Sequence, residues 1–419
     1  MDPLTLGIVG IILLVTFIFM GVPVAYATAF IGISGLLLMR GSLTAFGLAG
    51  IIPYANSASY SFSVLPLFIA IGFLALYAGI TNGAFEAARI WVGRAPGGLA
   101  TATIFASASF AAVSGASTAS TSVFTRLAIP EMEERGYSRT LAAGVVAVGG
   151  TLAALIPPSA ILVIYGIIVE ESIGRLLLAG LVPGLISIVV YIAVITIVVK
   201  LNPSLAPRLE RTSMMQKLKS LTQVWGVLAV VGVILGGIYL GWMTPTESAA
   251  VGTAIILGMA MFKRMSLGNL KEGLLDTIKT TAMIFMVIWG VMIFVRFLAF
   301  TGLPAEITAV VTGLDVPPLA ILFGVIVMYL LMGMILDGLG MMMLTLPVIY
   351  PAIIGLIEVG MITPPVGLNC YVVHGVRPDI PLEEVFRGVT PFLIGEAVII
   401  GILVAFPEVV LYLPNHMMN

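Results

Sequence analysis

The sequence predicts an all-α polytopic membrane protein of two inverted repeats, each holding a re-entrant hairpin and a broken helix. Three observations carry that fold class. Of 419 residues, 60% are apolar and only 9% charged, against roughly 25% charged in an ordinary soluble domain. Apolar stretches of the ~20 residues that a helix needs to cross the hydrocarbon core recur from Leu4 to the C-terminus. Sequence marks of the first half also return in the second: Phe73-Leu74-Ala75-Leu76 with Gly79 resembles Phe297-Leu298-Ala299-Phe300 with Gly302, and Ile156-Pro157-Pro158 is echoed by Ile362-Thr363-Pro364-Pro365.

The same composition excludes several functions. A net charge of -1 offers no basic face for nucleic acid. One cysteine, Cys370, forms no disulfide within the chain, and with two distant histidines, His374 and His416, it supplies no metal cluster. No Gly-rich phosphate loop with its lysine is present, so ATP hydrolysis is not the energy source. The N-terminus lacks the basic region and cleavage site of a signal peptide, and the first span is expected to stay. With 46 Gly and 24 Pro in an apolar background, many spans are expected to be broken or closely packed.

Taken in order, residues 1–205 form the first repeat, 206–220 a cytoplasmic linker, and 221–419 the second repeat. Lys and Arg gather in short connections at Arg89 and Arg94, Arg126 to Arg139, Lys200 to Lys219 and Lys263 to Lys279, which the positive-inside rule places in the cytoplasm. The apolar runs Leu221–Trp242 and Ala249–Phe262 cross out and return between two of these loops.

Near 100–130 the chain strings small hydroxyl residues through membrane depth, Ser114-Gly115-Ala116-Ser117-Thr118 among them, with cationic charge at both ends. About 30 residues are too few for two full spans, which predicts a hairpin entering and leaving on one face. Irregular backbone at membrane depth must be buried in protein or line a cavity. Its hydroxyl and carbonyl oxygens suit a hard cation such as sodium, which makes Ser114, Gly115, Ser117 and Thr118 candidate ion ligands; small residues also simply let helices pack closely.

Near 150–168 a broken helix is expected. Pro157 and Pro158 remove two backbone donors, so upstream carbonyls open towards a cation, although a plain proline kink explains the same residues. Thr151 and Pro157 join the ion-site candidates, and Ser159 is a candidate for the substrate.

In the second repeat a hairpin is expected near 325–347 and a broken helix near 355–375. Candidate ion ligands there are Asp337, Gly338, Thr363, Pro364, Gly367 and Asn369, with Asn369 also facing substrate. A carboxylate such as Asp337 in apolar surroundings faces a polar cavity by default, or caps a turn beside Gly338. Arg296, within the apolar run Thr281–Leu303, either attracts a substrate carboxylate or snorkels to the interface. The repeat marks lie 224 residues apart at Phe73 and Phe297 but 207 apart at Pro157 and Pro364, a shortfall of 17 in the second half.

Six blocks in order then resemble the large membrane subunit, of DctM type, of tripartite ATP-independent periplasmic transporters. They are Pro96-Gly97-Gly98-Leu99-Ala100, Phe110-Ala111-Ala112-Val113-Ser114-Gly115, Glu134-Arg135-Gly136-Tyr137-Ser138, Ile156-Pro157-Pro158-Ser159, Thr244-Pro245-Thr246-Glu247, and Ile362-Thr363-Pro364-Pro365-Val366-Gly367-Leu368-Asn369. The resemblance spans nearly the whole chain. It implies an elevator-type transporter of the bacterial inner membrane, joined to a small membrane subunit and fed by a periplasmic substrate-binding protein. It also implies sodium-driven uptake of a carboxylate-bearing solute, with sodium as coupling ion and no other cofactor. One departure is that only 15 residues, Val348 to Ile362, join Pro347 to Thr363, where the family pattern has a further helix. A binding-protein-independent carboxylate transporter of similar architecture is the runner-up; a passive channel and an intramembrane enzyme lack a continuous polar pore and a nucleophile–base pair respectively.

Overall fold

The computed structural model describes residues 2–80, 82–115, 117–168, 171–207, 212–313, 318–333, 341–342 and 368–417. Among them there is helix and no strand. Asp337, Gly338, Thr363, Pro364, Gly367 and the short Val348–Ile362 connection lie outside the described residues. Seven of the described helices are long and apolar enough to cross a membrane, or eight if the bent Met214–Tyr239 pair counts as one span.

Three helices, α1 (Pro3–Phe19), α2 (Val24–Ser57) and α12 (Leu267–Thr301), pack around Leu14, Ile31, Leu36, Phe294 and Phe297. The helix α2 turns at Gly41, where φ is 79°. A second core is built by α3 (Val64–Tyr77), α8 (Ala160–Ile168), α10 (Met214–Tyr239) and α11 (Pro245–Phe262) against the other side of α12. Both α10 and α11 begin with capping boxes, Ser213 with Gln216 and Thr244 with Glu247, and Pro245 sits at the first helical position. The Thr244-Pro245-Thr246-Glu247 block is thus a helix start: side chain and backbone each satisfy an orphan donor of the other.

The third core holds most of the site. Helix α4 (Asn82–Val92) leads into α5 (Gly98–Ser114) and α6 (Ser117–Glu134), the two arms of a hairpin. These pack on α7 (Arg139–Leu155) and α9 (Ile173–Leu201). After α13 (Leu303–Gly313) and α14 (Pro318–Gly333), the second half contributes α15 (Leu368–Val376) and α16 (Leu382–Ala405) to the same core, and α17 (Glu408–Asn415) closes on α9.

Helices α7 and α16 cross with their backbones in contact, because both crossing residues are glycine. A Cβ on Gly388 would stand 2.0 Å from the Thr140 carbonyl oxygen, and one on Gly144 2.3 Å from the Gly388 backbone. First-half and second-half helices are therefore locked into one body around Val145, Val148, Val389 and Phe392.

Candidate functional site

Each hairpin arm has 17 or 18 residues, about 26 Å of helix at 1.5 Å per residue, just short of the ~30 Å hydrocarbon core. The arms turn at Gly115, whose φ of 59° and ψ of 9° are left-handed, a conformation that costs an L-residue about 1–2 kcal/mol. Its N–H donates to the Ala111 carbonyl at 3.0 Å. A Cβ at Gly115 would lie 2.3 Å from the Pro158 carbonyl oxygen, and the Gly115 carbonyl accepts from the Ala160 N–H at 3.4 Å. The hairpin tip rests directly on the break between α7 and α8.

That break follows from proline chemistry. Helix α7 ends at Leu155, and Ile156 is extended. Pro157 and Pro158 have no N–H for the carbonyls four residues back, at Ala153 and Ala154. Ser159 answers one of them: its hydroxyl donates to the Ala154 carbonyl at 2.7 Å and accepts from the Leu162 N–H at 3.4 Å. The side chain expected to meet substrate is used to hold the broken backbone.

At the start of α6, Ser117 meets Asn369 at the start of α15. The Asn369 Nδ2 donates to Ser117 Oγ at 3.0 Å and to the Ala147 carbonyl at 3.1 Å, while Ser117 Oγ lies 3.2 Å from Asn369 Oδ1. Both side chains are buried. One amide thereby ties the first hairpin, α7 and α15 together. Beside it, Ser114 Oγ and Ser120 Oγ are buried without a hydrogen-bond partner among the described residues; such hydroxyls are costly in apolar surroundings unless something supplies a bond. Ser120 was not among the expected residues, although its place three residues after Ser117 puts it on the same helix face.

Three further expected residues sit elsewhere. Thr118 is exposed on α6, one residue and about 100° round the helix from Ser117. Thr151 turns its hydroxyl to the α9 side of α7, donating to the Val148 carbonyl at 2.8 Å and lying 3.2 Å from Tyr191 Oη. Tyr191 Oη in turn contacts Glu396 Oε1 of α16. Arg296 lines a cavity of about 400 Å³ with Leu48, Ile52, Asn56 and Phe300, between α2 and α12; no hairpin or α7 residue lines it. Glu396 itself escaped the sequence reading, although an acid inside the apolar run Leu382–Ala405 meets the same criterion that singled out Asp337.

The hairpin's other end is closed by charge. Glu133 accepts from Arg139 Nε at 2.7 Å and from Arg377 Nη2 at 2.9 Å, and Arg377 also grips Asp379 at 2.7 and 2.8 Å. The hydrogen bond from Arg377 holds the Asp379 carboxyl down at about 2, from an ordinary 3.8, and the same bond raises Arg377. The linker reaches this face too: Ser138 N–H donates to the Leu205 carbonyl at 2.8 Å, and Thr212 Oγ1 to the Ile90 carbonyl at 2.8 Å. Arg89, Arg135, Arg139, Leu205 and Thr212 thus gather at one face.

Comparison with known proteins adds the following. The family model described as "Tripartite ATP-independent periplasmic transporter, DctM component" matches residues 11–409. A C4-dicarboxylate TRAP transporter large permease protein from Pseudomonas aeruginosa is 34% identical over 379 residues, 86% of this chain and 88% of the relative. A sialic acid TRAP transporter large permease protein from Vibrio cholerae is 30% identical over 415 residues, covering 95% and 96%. Among solved structures, the YdaH transporter of Alcanivorax borkumensis aligns with a TM-score of 0.51 at 13% identity, over 82% of this chain and 85% of that one. At that identity the likeness concerns the fold alone.

Proposed function

The chain belongs to the DctM family of tripartite ATP-independent periplasmic transporters, as a multi-pass large permease, and from that premise we propose that it imports a small carboxylate-bearing solute by sodium symport across the bacterial inner membrane. It works with a small membrane subunit and receives solute from a periplasmic binding protein. Two relatives are named for C4-dicarboxylates and for sialic acid, which share a carboxylate.

The observation that carries the sodium reading is the meeting of hairpin tip, broken helix and Asn369. Sodium, here a co-transported substrate, needs several oxygen donors and no fixed charge. The oxygens of Ser114, Ser117 and Asn369 are neutral, buried and close to backbone that two prolines have stripped of donors. Unwound carbonyls beside hairpin tips are where secondary transporters take their coupling ions. Pro157 contributes by what its nitrogen lacks, and Gly115 by bringing the tip backbone within reach of the break. Asp337, Gly338, Thr363, Pro364 and Gly367 would supply the equivalent site of the second repeat.

Co-reconstitution of the permease with its small subunit into liposomes, with the binding protein outside, tests this with radiolabelled succinate and N-acetylneuraminate. Uptake of one of them should require an inward sodium gradient and the binding protein. Equal uptake with potassium in place of sodium removes the sodium reading. Equal uptake without binding protein removes the tripartite one and favours a self-sufficient carboxylate carrier.

A further inference from the structure

The cavity that Arg296 lines stands apart from the sodium reading, since no hairpin or α7 residue borders it. Helix α2 packs along α12 and turns at Gly41, where φ is 79°. Leu48, Ile51, Ile52 and Asn56 of its second arm then face Arg296 and Phe300 of α12 across a space of about 400 Å³. Arg40, the last residue before the turn, lays its guanidinium over Phe300, with Cζ 4.8 Å from the ring centroid. Phe300 follows Arg296 by four residues and so shares its helix face. Two guanidinium groups thus converge on one recess, one lining it and the other seated on a ring that lines it.

Their own helices supply nothing to neutralise them. Helices α1 and α2 contain no acidic residue, and the acids of α12 are Glu272 and Asp276, the nearer one about 30 Å before Arg296 along the axis. Among the described residues, Asp2 and Glu306 included, no carboxylate pairs with either arginine. Attraction to the Phe300 ring holds Arg40 without giving its five N–H donors an oxygen partner. The rest of the recess is apolar except for Asn56, whose Nδ2 donates to the Ile52 carbonyl at 2.8 Å and keeps a second hydrogen. Cations in such surroundings call for an anion.

The geometry points to a binding site for one phospholipid with a net negative headgroup, of the phosphatidylglycerol class, whose phosphate takes Arg296 and Arg40 together. A planar guanidinium grips two phosphate oxygens at once. Arg296 stands five residues before the last residue of α12, about 8 Å from the end of a membrane span, where headgroups lie. A zwitterionic headgroup would bring its ammonium to a recess with two cations and no carboxylate among the described residues, so the net charge of the lipid decides which one stays. The volume is at the small end of ligand cavities, ~300–1,000 Å³. It takes the phosphate and glycerol, and the acyl chains run out over Ile51 and Phe300, apolar side chains that are exposed.

The test is native mass spectrometry of the full chain released from nanodiscs made of equal parts phosphatidylglycerol and phosphatidylethanolamine. Wild type should retain one phosphatidylglycerol per chain, enriched about tenfold or more over phosphatidylethanolamine, as charge-assisted hydrogen bonds imply. Arg296→Gln and Arg40→Gln should each lower that retention severalfold. Arg296→Lys should lower it less, because the charge stays while the fork is lost. Lys271→Gln, a cation at the other end of α12, should leave it unchanged. Both arginines are exposed, so thermal stability should stay near wild type, and if one variant fails to fold the other reads the site. Equal retention of the two lipids, or unchanged retention in the arginine variants, overturns the assignment. Displacement of the lipid by millimolar inorganic phosphate does so too, by making the recess a site for a free anion. Loss of the lipid when the small membrane subunit is added also overturns it, by making the recess a seam between subunits.

Discussion

The hairpin of α5 and α6 is polar at both ends, and the two ends are built from opposite materials. Its charged base is clasped by Glu133, Arg139, Arg377 and Asp379, ionised groups that remain partly exposed to water. Its tip holds no charge among the described residues: Ser114, Ser117, Asn369 and backbone do all the polar work, and they are buried. Water screens the base, so each ion pair there counts for little. At the tip a missing hydrogen bond costs the full desolvation of the group left behind, about 1–3 kcal/mol. The base can therefore fix which elements lie together without fixing how tightly, whereas the tip is sensitive to single atoms. Neutral oxygens in a dry place are also what can exchange a bond to protein for a bond to sodium.

The sharpest way to break this contrast is Gly115→Ala. The added methyl would stand 2.3 Å from the Pro158 carbonyl oxygen, a backbone atom that cannot swing aside, and the left-handed φ adds about 1–2 kcal/mol. Uptake should be abolished and the yield of folded protein reduced. Wild-type uptake per folded molecule in this variant would show that the tip and the break do not form a working junction.

Next in size is Asn369→Leu, which keeps the volume roughly but leaves Ser117 Oγ and the Ala147 carbonyl without their donor. A loss of about 1–3 kcal/mol in stability is expected, together with a rise of about tenfold or more in the sodium concentration needed for half-maximal uptake. Ser117→Ala should raise it less, since Asn369 keeps its bond to Ala147. A drop in maximal rate with an unchanged sodium response in both variants would make the pair a structural clasp only.

How much of this was legible in the sequence follows the same division. Charge clustering, the short hydroxyl-rich run and the two prolines led to the expectation of a hairpin near 100–130 and a break near 150–168, because those depend on local chemistry: missing donors, cationic loops, segment length. The partner of each side chain did not follow. Thr118 and Thr151 both carry the right oxygen, yet a rotation of about 100° per residue decides whether that oxygen faces the tip, the exposed side or Tyr191, and Ser159 spends its oxygen on the broken backbone. Arg296 was legible as a costly charge, but nothing in its own run told that α2 would lie across it with Asn56. Asn369 is expected, on sequence grounds, in the second-half broken helix near 355–375. Its bond to Ser117, 252 residues earlier, needs the crossing of α7 and α16 that two glycines permit, and neither glycine stands in a motif. Glu396 belongs to no motif: it is a lone acid in the last long apolar run, and its burial against Tyr191 comes from the packing of α9 on α16.

The smallest effect expected is at the base, in Asp379→Asn. The carboxyl titrates near 2 when folded against an ordinary 3.8, so the ionised form is favoured by folding. Its contribution is present above about pH 4 and is lost as pH falls through 2, while Arg377, pushed upward, stays charged throughout. Thermal unfolding of wild type and Asp379→Asn in detergent micelles should therefore differ slightly between pH 5 and 8. The two should converge as the pH falls towards 2, and high salt at neutral pH should shrink the difference as well. Uptake should be nearly unchanged, because Glu133 still holds Arg139 and Arg377 with Asp379 neutral. If Asp379→Asn instead stopped uptake as completely as Gly115→Ala, the base would be more than a water-screened clasp, and the contrast between the hairpin's two ends would fail.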